Sequence, residues 1–327
     1  MKKVFVTGIT GLLGANVVIK LLQDGYFVIA LVRKKNGYLG EKNKNLKLIE
    51  ASLFSDVSEY LKDVHYVIHI AAETQQNLLS YENYKKINYD AAVHLFSHSE
   101  EARVKKFLFV SSANTLGFGR LGDLGNENTP QKYPFTHSFY AKSKLEAENF
   151  LLKNNQKTKV VILNPTFMIG AYDHKPSSGK IIFWVWNKKI VFYPEGGKNF
   201  VHVEDVAAGI LKALEKGQNG EKYILANENL KYKSFFKKVN KLTQQNPIMI
   251  PIPDIILRIL GLAGDFLRVF EMRTSLSSVN MKALQIDNFY SNKKSIEKLA
   301  IEYQSIEKAI EDAVLFFENQ KKNRANF

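Results

Sequence analysis

The sequence predicts an α/β fold in which a doubly wound parallel sheet carries a smaller, mainly helical C-terminal domain. Three observations predict it. Short runs of Val, Ile, Leu and Phe alternate with longer helical patterns through the first half of the chain. Those runs lack the polar alternation of a half-exposed strand, so helices must cover both of their faces. A glycine-rich turn, Gly8 to Gly14, joins the first run to the first helical pattern, the arrangement of a Rossmann-like sheet.

The elements follow in order. Strands are expected at Lys3–Thr7, Phe27–Val32, Leu46–Glu50, Tyr66–Ile70, Phe107–Ser111 and Val160–Asn164. Helices fall near 12–24, 56–62, 81–102 and 138–154. After Pro165 the rhythm breaks, and residues 171–180 read as a loop. A helix over about 204–216 opens on Glu204-Asp205, acidic residues suited to a helix N-terminus. A short strand, Lys222–Ala226, comes next. Residues 231–327 read as mainly helical, with Ile306, Ile310, Ala313, Val314 and Phe317 on one helical face. The longest apolar stretch, Ile248 to Phe270, is broken by Pro251, Pro253, Asp254, Arg258, Asp265 and Arg268. It suits a buried helix or a lid over an apolar pocket better than a membrane span, with contact at a membrane surface as the lesser alternative.

Composition narrows the function classes. The 327 residues hold 46 Lys+Arg against 32 Asp+Glu, a net charge of +14, and no Cys. Without Cys there is no disulfide, thiolate nucleophile or sulfur-held metal. Only seven of the basic residues are Arg, and the Lys are dispersed, whereas nucleic-acid readers lean on Arg. The expectation is a lysine-rich surface and no nucleic-acid partner. Met1-Lys2-Lys3 runs directly into Val4–Thr7, an apolar run too short for a secretory signal core. A cytoplasmic protein is therefore expected. None of the seven His forms a ligand-spaced pair, so no metal is expected; His69 and His202 read as structural.

The glycine turn has the context of a dinucleotide site. Gly8 and Gly11 let the backbone approach a pyrophosphate, and Gly14 lets the helix pack closely on the sheet. Thr10, Leu12 and Leu13 complete the loop, and the helix start offers free N–H groups. The second strand runs out into Arg33-Lys34. An acidic residue there would hold ribose hydroxyls; cations suit a 2′-phosphate, so NADP(H) is expected, with NAD(H) as the alternative.

Tyr140 and Lys144 lie four residues apart on one face of a predicted helix. A phenol titrating near 10 needs a nearby cation to become a base at neutral pH. An ammonium at this spacing, with a positive nicotinamide, provides it. Ser112 ends the fifth strand, where open α/β sheets bind ligands, and can hydrogen-bond a substrate oxygen.

Taken together, these motifs resemble the extended short-chain dehydrogenase/reductase superfamily, also called the NAD-dependent epimerase/dehydratase family. The resemblance spans essentially the whole chain. It includes His69-Ile70-Ala71-Ala72, Asn88, Ser111-Ser112, Asn164-Pro165-Thr166 and Asn199 to Asp205. The Val32-Arg33 strand end and the Pro176-Ser177-Ser178-Gly179 loop look most like the dihydroflavonol-reductase-like branch. The resemblance implies Ser112, Tyr140 and Lys144 as the catalytic set, with Lys144 also on the nicotinamide ribose. It implies Ala71, Ala72 and Pro165 near the cofactor and Asn88 in a supporting role. Ser52 stands where an Asp commonly follows the third strand near the adenine, with Leu53 kept. Ala113 and Asn114 replace the acidic residues of nucleotide-sugar dehydratases, which argues against sugar dehydration. Lys198 stands where nucleotide-sugar enzymes often have Arg, and Gly117 where plant flavonoid reductases have Asn.

The expected division is 1–165 plus about 197–226 for the NAD(P)-binding domain, and about 166–196 plus 227–327 for the substrate domain. Thr74, Asn114, His137 and Phe167, in or beside the variable loops, are the candidate substrate contacts. The expected activity is NADP(H)-dependent reduction of a small-molecule ketone or aldehyde, with Tyr140 as proton donor. The alternatives are an NAD(P)-dependent sugar epimerase and a non-catalytic cofactor-binding protein; the intact catalytic set argues against the second. A homodimer is left open.

Overall fold

The computed structural model describes residues 1–325, with side chains to Lys322. The first half builds strands β1 (Lys3–Thr7), β2 (Phe27–Val32), β3 (Leu46–Glu50), β4 (Tyr66–His69), β5 (Lys106–Val110) and β6 (Lys159–Pro165). Between them lie helices α1 (Leu12–Gln23), α2 (Ser58–Leu61), α3 (Tyr81–Lys85), α4 (Ala91–Glu101) and α5 (Phe139–Lys153). Helices α3 and α4 form one rod through a wide π turn at Lys86–Asp90. Ser80 caps its start by accepting from the Glu82 N–H, and Ser138 caps α5 from the Ala141 N–H.

The second half adds β7 (Phe167–Ile169), α6 (Lys180–Phe183), β8 (Ile190–Tyr193), β9 (Gly197–His202), α7 (Val203–Lys216), β10 (Glu221–Leu225) and β11 (Glu228–Lys231). Then come α8 (Tyr232–Leu242), β12 (Ile248–Pro251), α9 (Asp254–Val269), α10 (Ser278–Ala283), β13 (Asp287–Asn288), α11 (Lys293–Leu299) and α12 (Ile306–Ala325).

Seven strands form one parallel sheet in the order β3-β2-β1-β4-β5-β6-β10. Alternate side chains enter different cores, as strand geometry requires. Val4 and Val6 pack with Val17, Val206 and Ile210 beneath α1 and α7. Phe5 turns the other way, to Phe96, Phe107, Ala147 and Leu151 beneath α4 and α5. Burial on both faces explains why these strands read as unbroken apolar runs.

A smaller sheet forms around β9, which pairs with β11 on one edge and with β7 and β13 on the other. A third core fills the space between it and α8 and α12. There Phe200 stacks on Phe235 with ring centres 4.1 Å apart, and Ile306, Ile310, Ala313, Val314 and Phe317 are buried. We propose the domain division given above, with β9 as the seam: its pairing belongs to the smaller sheet, while α7 directly after it packs on α1.

Two expectations change. Strands β12 and β13 interrupt a region that read as mainly helical, and β7, β8, β9 and β11 fill stretches for which no element was expected. They are two to six residues long, and their partners lie far away in sequence, so periodicity does not reveal them. The apolar stretch 248–270 is not a buried helix. Helix α9 buries only Leu257, Gly261 and Gly264, and Ile255, Ile256, Ile259, Leu260, Leu262, Phe266 and Val269 are exposed. Among the described residues no helix is long and apolar enough to cross a membrane.

Candidate active site

Because all seven strands of the main sheet run parallel, the loops after β1, β2, β4, β5 and β6 emerge at one edge. Gly8 turns there with φ +81°, and a Cβ on it would sit 2.5 Å from the Ala71 nitrogen. A Cβ on Gly14 would sit 2.1 Å from the Gly8 oxygen, so that glycine seats α1 on the sheet. Gly11 differs: a Cβ there meets no atom closer than 3.7 Å. The protein itself does not require glycine at 11, which suits close approach by a ligand. No side chain caps α1, so its first N–H groups suit a pyrophosphate. Thr10 is exposed, whereas Leu12 and Leu13 are core side chains, so residues 12 and 13 offer a ligand only main chain.

Arg33 and Lys34 are exposed at the end of β2 and, among the described residues, make no ion pair. Glu50 on neighbouring β3 accepts from the Lys35 N–H at 2.8 Å. Leu53 packs against the core beneath the α4 side of the sheet. Ala71 and Ala72 are half-buried beyond β4, and the Ala71 N–H reaches Thr7 Oγ1 at 3.3 Å. Pro165 is buried at the end of β6. Asn88, fully buried on the π turn, accepts from the Glu73 N–H at 2.8 Å and donates to the Glu73 carbonyl and to Ser143 Oγ. It ties the loop after β4 to α5.

Burial raises the Tyr140 phenol above its usual value, with neighbouring Ser112 pulling it down and Glu148 pushing it up. Lys144, one turn on, donates to the Val110 carbonyl at 2.8 Å and lies 4.5 Å from the centre of the Phe109 ring. Burial lowers its ammonium to about 7, opposed by Glu148. The sequence expectation of a phenol lowered by this lysine is therefore not met by the protein alone: burial acts on both groups, each toward its neutral form.

Glu148 was not among the sequence candidates. It is fully buried and accepts from Thr115 Oγ1 at 2.7 Å, from Asn164 Nδ2 at 2.7 Å, and from Lys222. Its signal was the continued spacing 140, 144, 148 along one helix face. His69 is buried beside Lys144; burial first, then the charge of Lys144, lowers its imidazole to about 3. Its Nδ1 meets Thr7 Oγ1 at 2.8 Å, and its Nε2 has no partner among the described residues.

The substrate candidates are scattered. Asn114 is half-buried; its N–H meets Ser112 Oγ at 3.2 Å and its carbonyl accepts from Gln131. Phe167 packs edge-on against Phe200. Thr74 is exposed on the loop after β4, and His137 is exposed against Tyr133. Lys198 was noted only as a departure from a family pattern. Its Nζ lies 4.5 Å from the Phe167 ring centre, and burial lowers its ammonium to about 8. His202 caps α7 and pairs with Asp312 at 3.0 Å; with Glu204 these ligand atoms lie within 4.8 Å of one another.

The fold and these residues define a nicotinamide-dependent enzyme of the extended short-chain dehydrogenase/reductase type. Residues 4–226 match the family described as the NAD dependent epimerase/dehydratase family, and the chain belongs to it. It is similar to a Synechocystis protein named "Putative dihydroflavonol 4-reductase", 27% identical over 96% of this chain and 94% of that one. It is also 29% identical to a decarboxylating sterol-4-alpha-carboxylate 3-dehydrogenase of Dictyostelium discoideum, over 84% of this chain and 87% of the relative. The crystal structure of gox2253 superposes with a TM-score of 0.83 at 27% identity, covering 98% of this chain and 99% of that one.

Proposed function

We propose that this protein is an NADP(H)-dependent oxidoreductase that interconverts a ketone or aldehyde and its alcohol on a small, largely apolar molecule. The observation that carries the reading is Ser112 acting on the Tyr140 phenol, with Lys144 one turn further along α5. In this proposal the main chain of residues 8–14 holds the pyrophosphate, and Arg33 and Lys34 meet the 2′-phosphate. Leu53, Ala71, Ala72 and Pro165 flank the cofactor, and Asn88 fixes the loop beside it. When bound, the nicotinamide supplies or accepts the hydride.

The remaining chemistry belongs to the chain. Ser112 donates a hydrogen bond to the substrate oxygen. Tyr140, held protonated by burial, donates its proton to that oxygen as negative charge develops there, which favours the reductive direction. Lys144 holds the ribose, and when protonated it favours the phenolate left behind. Ala113 and Asn114 offer no acid next to Ser112, so the site lacks a second acid–base pair for dehydration. The names of the two relatives, a dihydroflavonol 4-reductase and a sterol-4-alpha-carboxylate 3-dehydrogenase, support alcohol–ketone chemistry on an apolar skeleton. We place the protein in the cytoplasm, where that cofactor is available.

A panel of ketones and aldehydes followed by NADPH oxidation tests the reading. Turnover on an apolar ketone is expected, and Tyr140→Phe should abolish it while sparing cofactor binding. Retained turnover in Tyr140→Phe overturns the mechanism. Cofactor that stays bound without net oxidation on any carbonyl points instead to a sugar epimerase. Arg33→Ala should narrow the preference for NADPH over NADH; an unchanged ratio refutes the assignment of the 2′-phosphate.

A further inference from the structure

Helix α9 is inside out. Ile259, Leu262, Phe266 and Val269 are 58%, 68%, 64% and 77% exposed. Ile255 and Phe270 extend the same bare surface at either end. Two of the four charged side chains of the helix, Asp265 and Arg268, instead face the protein. Asp265 accepts from the Ser278 N–H, and Arg268 donates to the carbonyls of Leu78 and Thr274. A soluble surface helix does the reverse.

The helix cannot roll to hide this face. A Cβ on Gly264 would lie 1.0 Å from the Leu276 oxygen, and one on Gly261 would lie 2.9 Å from the Ser278 Cα. These contacts lock α9 against the 276–278 backbone. Exposed apolar residues also stand on the strand that precedes the helix and on its partner. Ile248 and Ile250 on β12 sit opposite Ile190 and Phe192 on β8, and all four are exposed.

We propose that α9 docks the protein on the surface of an anionic lipid bilayer, its outer face entering the acyl boundary. Charge favours this occupant over a second copy of the chain: a body of net charge +14 repels its own kind and is drawn to an anionic leaflet. Exposed Lys188 and Lys189 adjoin Ile190, and exposed Arg258 and Arg273 lie on and after α9, against exposed Asp254 and Glu271. At sixteen residues, or about 24 Å, α9 is too short to span a bilayer but long enough to lie along its surface.

The helix and α10 also lie against segments that flank the candidate active site. Arg268 and Asn280 bond the carbonyls of Leu78 and Gln76, in the loop after β4, and α10 packs beside Phe135–His137, just before Tyr140. The matching substrate class is an apolar alcohol or ketone taken up from the bilayer. That assignment rests on the oxidoreductase reading; the docking does not.

Flotation of the full chain with vesicles tests the docking without any substrate. Binding is expected to phosphatidylcholine vesicles containing phosphatidylglycerol, and to be about tenfold weaker to phosphatidylcholine alone. The double variant Ile259→Glu/Phe266→Glu should lose flotation while its far-ultraviolet circular dichroism and NADPH binding stay unchanged. Failure of the wild type to float with either vesicle overturns the proposal, as does flotation by the folded double variant. A dimer in sedimentation velocity that the double variant converts to monomer, with no vesicle binding, assigns the face to a second copy and also overturns it. A steroidal ketone offered in detergent and in vesicles separates the two readings. Flotation without turnover in either medium rejects the chemistry and keeps the docking. Turnover in detergent without flotation does the opposite.

Discussion

Replacing Lys144 by Met tests the electrostatics on which the site depends. Lys144 is 1% exposed, and burial lowers its ammonium from 10.5 to about 7. Near neutrality the unfolded chain holds that proton fully, and the folded chain only about half the time. Folding therefore carries a penalty that is complete below about pH 7 and disappears as the pH climbs towards 10.5. The shift corresponds to about 4 kcal/mol at pH 7 and about 2 kcal/mol at pH 9. Met keeps the apolar stem, removes the charge, and forfeits the bond to the Val110 carbonyl, worth about 1.5–3 kcal/mol. The variant should be roughly 1–3 kcal/mol more stable than wild type at pH 7, and that advantage should shrink by about 2 kcal/mol by pH 9. Chemical denaturation of both proteins at pH 7, 8 and 9 gives the difference, in which the titration of the other lysines cancels. Turnover should fall by about 10²-fold or more. A stability difference that is flat with pH, or a variant less stable than wild type at pH 7, refutes the reasoning.

Other perturbations separate the roles of neighbouring residues. Gly11→Ala should melt within about 0.5 kcal/mol of wild type yet lose cofactor affinity in a fluorescence titration, because only a ligand needs that space. Gly8→Ala should instead cost several kcal/mol, about 1–2 of it from the left-handed backbone alone, since its Cβ also meets the Ala71 backbone. Glu148→Ala strands Thr115, Asn164 and Lys222, and should cost about 3–5 kcal/mol in urea unfolding. If Lys198 meets an anionic group of the substrate, KM should rise as the pH passes about 8 and its ammonium deprotonates. Lys198→Met should then flatten that profile.

The sequence alone determined the main sheet and placed the central residues of the candidate site beside it. Strands buried on both faces need apolar residues at every position, so Val4–Val6 or Phe107–Val110 announce themselves without any partner in view. The turn at Gly8 and the spacing of Tyr140 and Lys144 are local too: a positive φ and one helical turn are properties of neighbouring residues. Tertiary structure decided what depends on distant chain segments. It buried both Lys144 and Tyr140, which lowers the ammonium and raises the phenol, and it joined Glu148 to Thr115, Asn164 and Lys222. It also turned the apolar face of α9 outward. Hydrophobicity records only that a side chain avoids water, and which surface covers it is settled where the backbones of Gly261 and Gly264 meet residues 276–278.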